Sequence, residues 1–136
     1  IFVVLVGFLP SVFISMAIAE EPVKAVAMQE ITVKEISVQD VQKFVQEKAA
    51  NVVVLDANNS EARKDAGVVP GAILLSSYNQ YAINELPKDK NTTLVFYCYN
   101  SYCQASHAAA MRAIGAGYND SRVMKAGIVG WNKAKT

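Results

Sequence analysis

From residue 31 onward the apolar residues fall into short runs that alternate between a strand period and a helix period. Residues 31–36 (ITVKEI) alternate weakly and read as a short strand. Ser37 can cap a helix with Asp40 three positions on, and Val38, Val41, Phe44 and Val45 follow at helical spacing until Asn51. Residues 52–56 (VVVLD) are a continuous β-branched run, the pattern of a strand buried on both faces. Residues 60–66 predict a short helix that Gly67 can stop, Pro70 and Gly71 predict a turn, and residues 72–75 another short strand. Residues 76–83 follow neither period, and residues 86–91 form a polar connection. Residues 94–97 predict the next buried strand, residues 106–114 an alanine-rich helix closed by Gly115 and Gly117, and residues 122–125 a last short strand. Gly127 then leads into a final helix around Trp131. Strands that alternate with helices in this way predict an α/β fold, with a mainly parallel central sheet flanked by helices on both faces. Ligands of such sheets bind at the carboxyl ends of the strands. The chain has no internal repeat and no low-complexity segment.

Upstream the pattern changes. Residues 1–19 carry no charge and end Ala17-Ile18-Ala19, just before Glu20, Glu21 and Pro22. An apolar stretch closing on small residues predicts a secretory signal, with a second cleavage possibility at Ala25-Val26-Ala27. The alternative is a retained membrane anchor, since residues 1–19 are just long enough to span a bilayer. The missing initiator Met and basic leader predict that the sequence is truncated at its start. The expected organisation is therefore a signal or anchor over 1–19, a linker over 20–28 and one domain over 29–136. Either reading of the first segment implies export to a periplasmic or other extracytoplasmic location, with membrane association only if the segment is retained.

The chain has 136 residues, 52% of them hydrophobic, and a net charge of +1. That balance gives no basis for nucleic-acid or membrane-surface binding. Lys34, Lys43, Lys48, Arg63, Lys64, Lys88, Lys90, Arg112, Arg122 and Lys125 are scattered, as expected of solvated surface.

The chemistry concentrates after the strand at 94–97. LVFYC at 94–98 ends on Cys98, the polar loop YNSYCQAS follows, and the alanine-rich helix begins. This order sets a thiol at the carboxyl end of a strand, under loop amides and a helix N-terminus, where a thiolate is stabilised below the free pKa of about 8.5. Cys103 lies five positions on. A bridge closing so short a loop adds little stability, so the pair reads as reactive more than structural. Ser106 is placed to cap the helix, and its hydroxyl can also face the loop. His107 falls four residues after Cys103, a spacing that with Cys98 permits a soft-metal site but is equally that of an ordinary exposed histidine. Tyr99 and Tyr102 are placed to line a pocket mouth, Tyr97 to be core, Trp131 to pack, and Asp56 to hold loops at the strand ends.

These residues also resemble a known family, the single-domain rhodanese-like sulfurtransferases, over about residues 37–134. Val54-Leu-Asp56-Ala resembles the family's strand ending in Asp. Glu61 followed by GVVPGAI at 67–73 resembles its Glu and GHIPGA motif, and LPKDK at 86–90 with LVFYC resembles the approach to its active cysteine. Ala109-Ala110, Gly117-Tyr118 and Ala126-Gly127-Ile128 with Trp131 resemble its later landmarks. The resemblance implies a rhodanese-like fold, Cys98 as the sulfur-carrying nucleophile, and no cofactor or resident metal. It implies that Tyr99, Asn100, Ser101, Tyr102, Cys103, Gln104, Ala105 and Ser106 bind substrate. The expected partners are a small sulfur donor (thiosulfate or polysulfide) and a thiol, cyanide or protein acceptor.

Three departures stand out. The family loop reads C-x-x-G-x-R-S, whereas the loop after Cys98 has neither Gly nor Arg, carries a second cysteine in a C-x4-C arrangement, and is two residues longer. The usual Arg two positions after the strand Asp is Asn58. Phosphatase-type and arsenate-reducing relatives resemble C-x5-R, and Gln104 at that position argues against their chemistry. The altered loop leaves two other readings open. One is a non-catalytic rhodanese-like domain that binds a partner or metal. The other is a thiol–disulfide oxidoreductase using Cys98 and Cys103.

Overall fold

The computed structural model describes residues 30–135, together with Gly7, residues 10–15 and Ala17. The expected segments at 1–19 and 20–28 therefore lie largely outside the described residues. Among the described residues no helix is long and apolar enough to cross a membrane.

Five parallel strands form one sheet in the order β1-β5-β4-β2-β3: β1 (Lys34–Glu35), β2 (Val52–Asp56), β3 (Ile73–Leu74), β4 (Thr93–Tyr97) and β5 (Ser121–Val123). Between them run helices α1 (Val38–Glu47), α2 (Ser60–Ala66), α3 (Ala105–Gly115) and α4 (Gly127–Ala134), with a 3₁₀ turn at Ile83–Glu85. The period-2 alternation of β4 sorts the core into two layers. Leu94 and Phe96 pack with Leu55, Val123 and the Ala109, Ala110 and Ala113 stripe of α3. Val95 and Tyr97 pack on the other side with Val41 of α1, Met124 just after β5, and Ile128 and Trp131 of α4. The small alanine face lets α3 sit close to the sheet, which brings its first turn up to the end of β4.

Local chemistry sets most boundaries. Ser37 Oγ accepts from the Asp40 N–H (3.1 Å) and donates to its carboxylate (2.8 Å), fixing the start of α1. The helix ends before Asn51, contrary to expectation, because Lys48 takes a left-handed cap at φ 48° and returns its N–H to Phe44 and Val45. The ambiguous stretch 76–83 resolves around Glu85. Its carboxylate accepts from Ser76 N, Ser76 Oγ and Ala82 N at 2.7–2.8 Å, which holds its pKa below the ordinary carboxylate value. Buried Tyr81 beside it donates its hydroxyl to Ala109 O (2.7 Å), and burial pushes its pKa up to about 12.

Candidate functional site

β4 and β2 run in register with Tyr97 opposite Asp56, so Cys98 emerges at the carboxyl end of the central strand and is 2% exposed. The N-terminus of α4 secures the backbone that follows. Ile128 N–H donates to Cys98 O (2.9 Å) and Val129 N–H to Tyr99 O (3.0 Å). Gly127 makes that approach possible. It sits at φ +65°, and a Cβ there would lie 2.5 Å from Tyr99 C and O.

The loop is organised by Asn100. Its side-chain oxygen accepts from Tyr102 N–H and its carbonyl from Cys103 N–H, both at 3.1 Å. Two amides expected to cradle a sulfur anion are therefore turned onto Asn100 instead. The same turn brings Cys103 back onto Cys98. Their Cα atoms are 6.3 Å apart and the two sulfurs are joined as a disulfide.

Ser106 does not cap α3. Gln104 occupies the cap position without a side-chain bond, and Ser106 lies inside the first turn, 2% exposed, with Oγ 3.3 Å from Cys98 Sγ. The uncapped N-terminal amides of α3 leave positive dipole at that end of the helix, beside the sulfurs.

A cavity of about 290 Å³ opens next to this pair. Of the expected binding residues, Ser101, Cys103, Gln104 and Ser106 line it, together with His107. Tyr99, Asn100, Tyr102 and Ala105 do not. Tyr102 points to solvent at 88% exposure, and Tyr99 donates its hydroxyl to Asp65 on α2 (2.6 Å), a bond that raises the Tyr99 pKa. The opposite wall was not anticipated from the sequence: it is residues 30–33 and Glu35 from the β1 side, with Val123 at the end of β5 and Lys125 just beyond it. Lys125 Nζ lies 3.7 Å from Glu35. The signal lies in the β1–β5 pairing, a long-range contact that local periodicity does not encode. Among the described residues, no group of three or more His, Cys, Asp or Glu side chains is placed to hold a metal ion.

A second buried polar cluster stands one strand away. Asp56 is fully buried and accepts from Tyr97 OH (2.6 Å) and Asn58 N–H (2.7 Å), with Arg63 Nε 3.3 Å from the carboxylate. Arg63 also donates to the carbonyls of Asp56 and Leu75. Asp56 thus holds strand ends together, as expected, while Arg63 is not the solvated cation the sequence implied. Arg112 and Arg122 are likewise engaged, with Tyr81 O and with Asp120. Tyr97 is core and donates to Asp56 while accepting from Val69 N–H (3.0 Å); burial first, then that carboxylate, drive its pKa upward. Trp131 is buried among the α4 contacts.

The family model for the rhodanese-like domain matches residues 37–134, most of the chain, and the chain belongs to that family. No curated protein matches it. Among solved structures, it is similar to the BH2092 protein of Bacillus halodurans, with 21% identity and a TM-score of 0.67 over 75% of this chain and 73% of that one. It is also similar to the human single-domain sulfurtransferase TSTD1, with 18% identity and a TM-score of 0.60 over 77% of this chain and 100% of that one. A Rhodopseudomonas palustris protein of unknown function, described as a possible tyrosine phosphatase, aligns with 18% identity and a TM-score of 0.63 over 76% and 82% of the two chains. At these identities the likenesses establish the fold.

Proposed function

We propose that the protein is a sulfurtransferase in which Cys98 carries the sulfur. The Cys98 thiolate attacks the outer sulfur of a donor, the donor's inner group leaves with the bonding pair (sulfite from thiosulfate, a shortened chain from polysulfide), and a Cys98 persulfide remains. An acceptor thiol, cyanide or protein cysteine then attacks the outer sulfur and returns the thiolate. The observation that carries this reading is the position of Cys98 at the carboxyl end of β4 in a rhodanese-like domain, its sulfur 3.3 Å from the Ser106 hydroxyl at the start of α3. Once Cys98 is reduced and ionised, the Ser106 hydroxyl would turn to donate to it, and that bond with the helix-start dipoles would favour the sulfur anion in both the thiolate and the persulfide.

Polysulfide is the better-matched donor. Thiosulfate is a dianion best met by a guanidinium, but the loop after Cys98 carries no Arg, and Asn58 stands where the family resemblance expects one after the strand Asp. The same lack of arginine argues against phosphoryl transfer. The Cys98–Cys103 pair also favours a second reading, thiol–disulfide exchange with a protein, which needs no sulfur donor. Thiocyanate formation from cyanide separates the two. The reduced protein should produce it faster from polysulfide than from thiosulfate, and Cys98→Ser should produce none. Exchange with a protein disulfide and no thiocyanate from either donor would favour the second reading.

A further inference from the structure

We infer that Cys103 gives the protein a further activity, reduction of the carried sulfur to sulfide, an inference that rests on the sulfur-transfer reading above. Three features place Cys103 for this. Its sulfur meets Cys98 Sγ itself, where the bond to a carried sulfur would be made. The encounter is built into the loop, because the Cys103 N–H is fixed to Asn100 O and Tyr102 N–H to Asn100 Oδ1. And Cys103, unlike buried Cys98, lines the cavity, so it reaches both the nucleophile below and solvent above.

In the loaded state the Cys103 sulfur attacks Cys98 Sγ. The new bond is the Cys98–Cys103 disulfide, and the bond that breaks is the one between Cys98 Sγ and the outer sulfur. That sulfur leaves with the electron pair and takes the Cys103 thiol proton, departing as hydrosulfide. The sulfane sulfur is reduced by two electrons and the two cysteines are oxidised to the disulfide. A dithiol reductant then exchanges with the disulfide through Cys103, the cysteine that faces the cavity, and restores both thiols. The net reaction is sulfane sulfur plus a dithiol giving sulfide plus a disulfide. A thiol held against its target competes with dissolved acceptors through its high effective concentration. The enzyme therefore passes sulfur on only when the acceptor is abundant, and otherwise releases sulfide.

The test uses the anaerobic, reduced protein and its Cys103→Ser and Cys98→Ser variants. Each is loaded with inorganic polysulfide or thiosulfate and desalted, with no acceptor added. Intact mass and free sulfide are then followed. Wild type is expected to settle about 2 Da below the unloaded dithiol and to release sulfide in step with that loss. Cys103→Ser should hold about 32 Da of added sulfur until cyanide removes it, with a persulfide lifetime roughly tenfold longer or more. Cys98→Ser should gain nothing. If wild type keeps its added sulfur as long as Cys103→Ser does, the reductase inference falls and sulfur transfer stands. If Cys103→Ser takes up no sulfur from either donor, both fall. If Cys98→Ser is the variant that loads, the roles of the two cysteines are reversed and the inference is overturned.

Discussion

Two neighbouring strand ends of the same parallel sheet bury polar groups to the same depth and use them in opposite ways. At the end of β2, Asp56 is met by Tyr97 OH, Asn58 N–H and Arg63, each within 3.3 Å. At the end of β4, Cys98 Sγ meets the Ser106 hydroxyl and the Cys103 carbonyl oxygen, each at 3.3 Å, and a second sulfur. The first cluster holds its group with two short hydrogen bonds and an adjacent guanidinium, all supplied by fixed neighbours, so the buried carboxylate ties strand ends together. The second leaves a soft, polarisable atom beside a cavity, with a partner that can be exchanged. On the sulfur-transfer reading, burial alone does not separate the structural group from the reactive one; the kind of partners does.

The sharpest way to break the contrast is Asp56→Ala. It strands Tyr97 OH and the Arg63 guanidinium without their anion, and should cost about 3 kcal/mol of stability in a denaturant titration. Sulfur loading per folded molecule should be unchanged. Gly127→Ala tests the support under the other strand end. Its Cβ would press on Tyr99, so the loop must shift, at about 2 kcal/mol for the strained left-handed backbone and close contact. Polysulfide loading should slow, while far-UV dichroism stays native below the melting point. Ser106→Ala is the converse of Asp56→Ala. It should leave stability nearly untouched but lower the rate of Cys98 loading about tenfold, the loss of one hydrogen bond to a charged sulfur at about 1.5 kcal/mol. A rate unchanged by this substitution would place Ser106 outside the chemistry.

The smallest effect is on acid stability. Hydrogen bonds from Ser76 hold Glu85 below its ordinary pKa, and those from Arg122 do the same for Asp120. A carboxylate whose pKa is depressed on folding stabilises the fold above its unfolded value of about 4, and the contribution disappears as pH falls through the folded value. Glu85→Gln should therefore flatten the dependence of stability on pH below about 4 and leave sulfur loading at neutral pH unchanged.

Much of this architecture was legible in local pattern. The β-branched run at 52–56 and the segment at 60–66 became β2 and α2 with the expected bounds, because their signals are short-range: branched side chains in one and Gly67 at the end of the other. The expected strand at 72–75 shrank to Ile73–Leu74, since an edge strand pairs on one side only. What local pattern could not show was direction. Ser106 has a helix-capping residue's identity, but the helix starts one residue earlier, and its hydroxyl turns to Cys98. Arg63 looks like a surface cation on a polar helix, yet its long side chain reaches back to Asp56. Tyr99 and Tyr102 share a loop with Cys103 but turn away from the cavity, one to Asp65 and one to solvent. Lys125 and residues 30–33 join the cavity only through β1–β5 pairing. Each miss turns on where a side chain points or which distant strand it meets, and identity alone suits several places.

The most direct test of the central claim is the intact mass of the reduced Cys103→Ser protein, in which Cys98 is the sole thiol, after exposure to inorganic polysulfide. The account predicts a gain of about 32 Da, lost again on adding cyanide as thiocyanate appears. A mass that stays at the unloaded value, in protein whose Cys98 still reacts with a small alkylating agent, would contradict it.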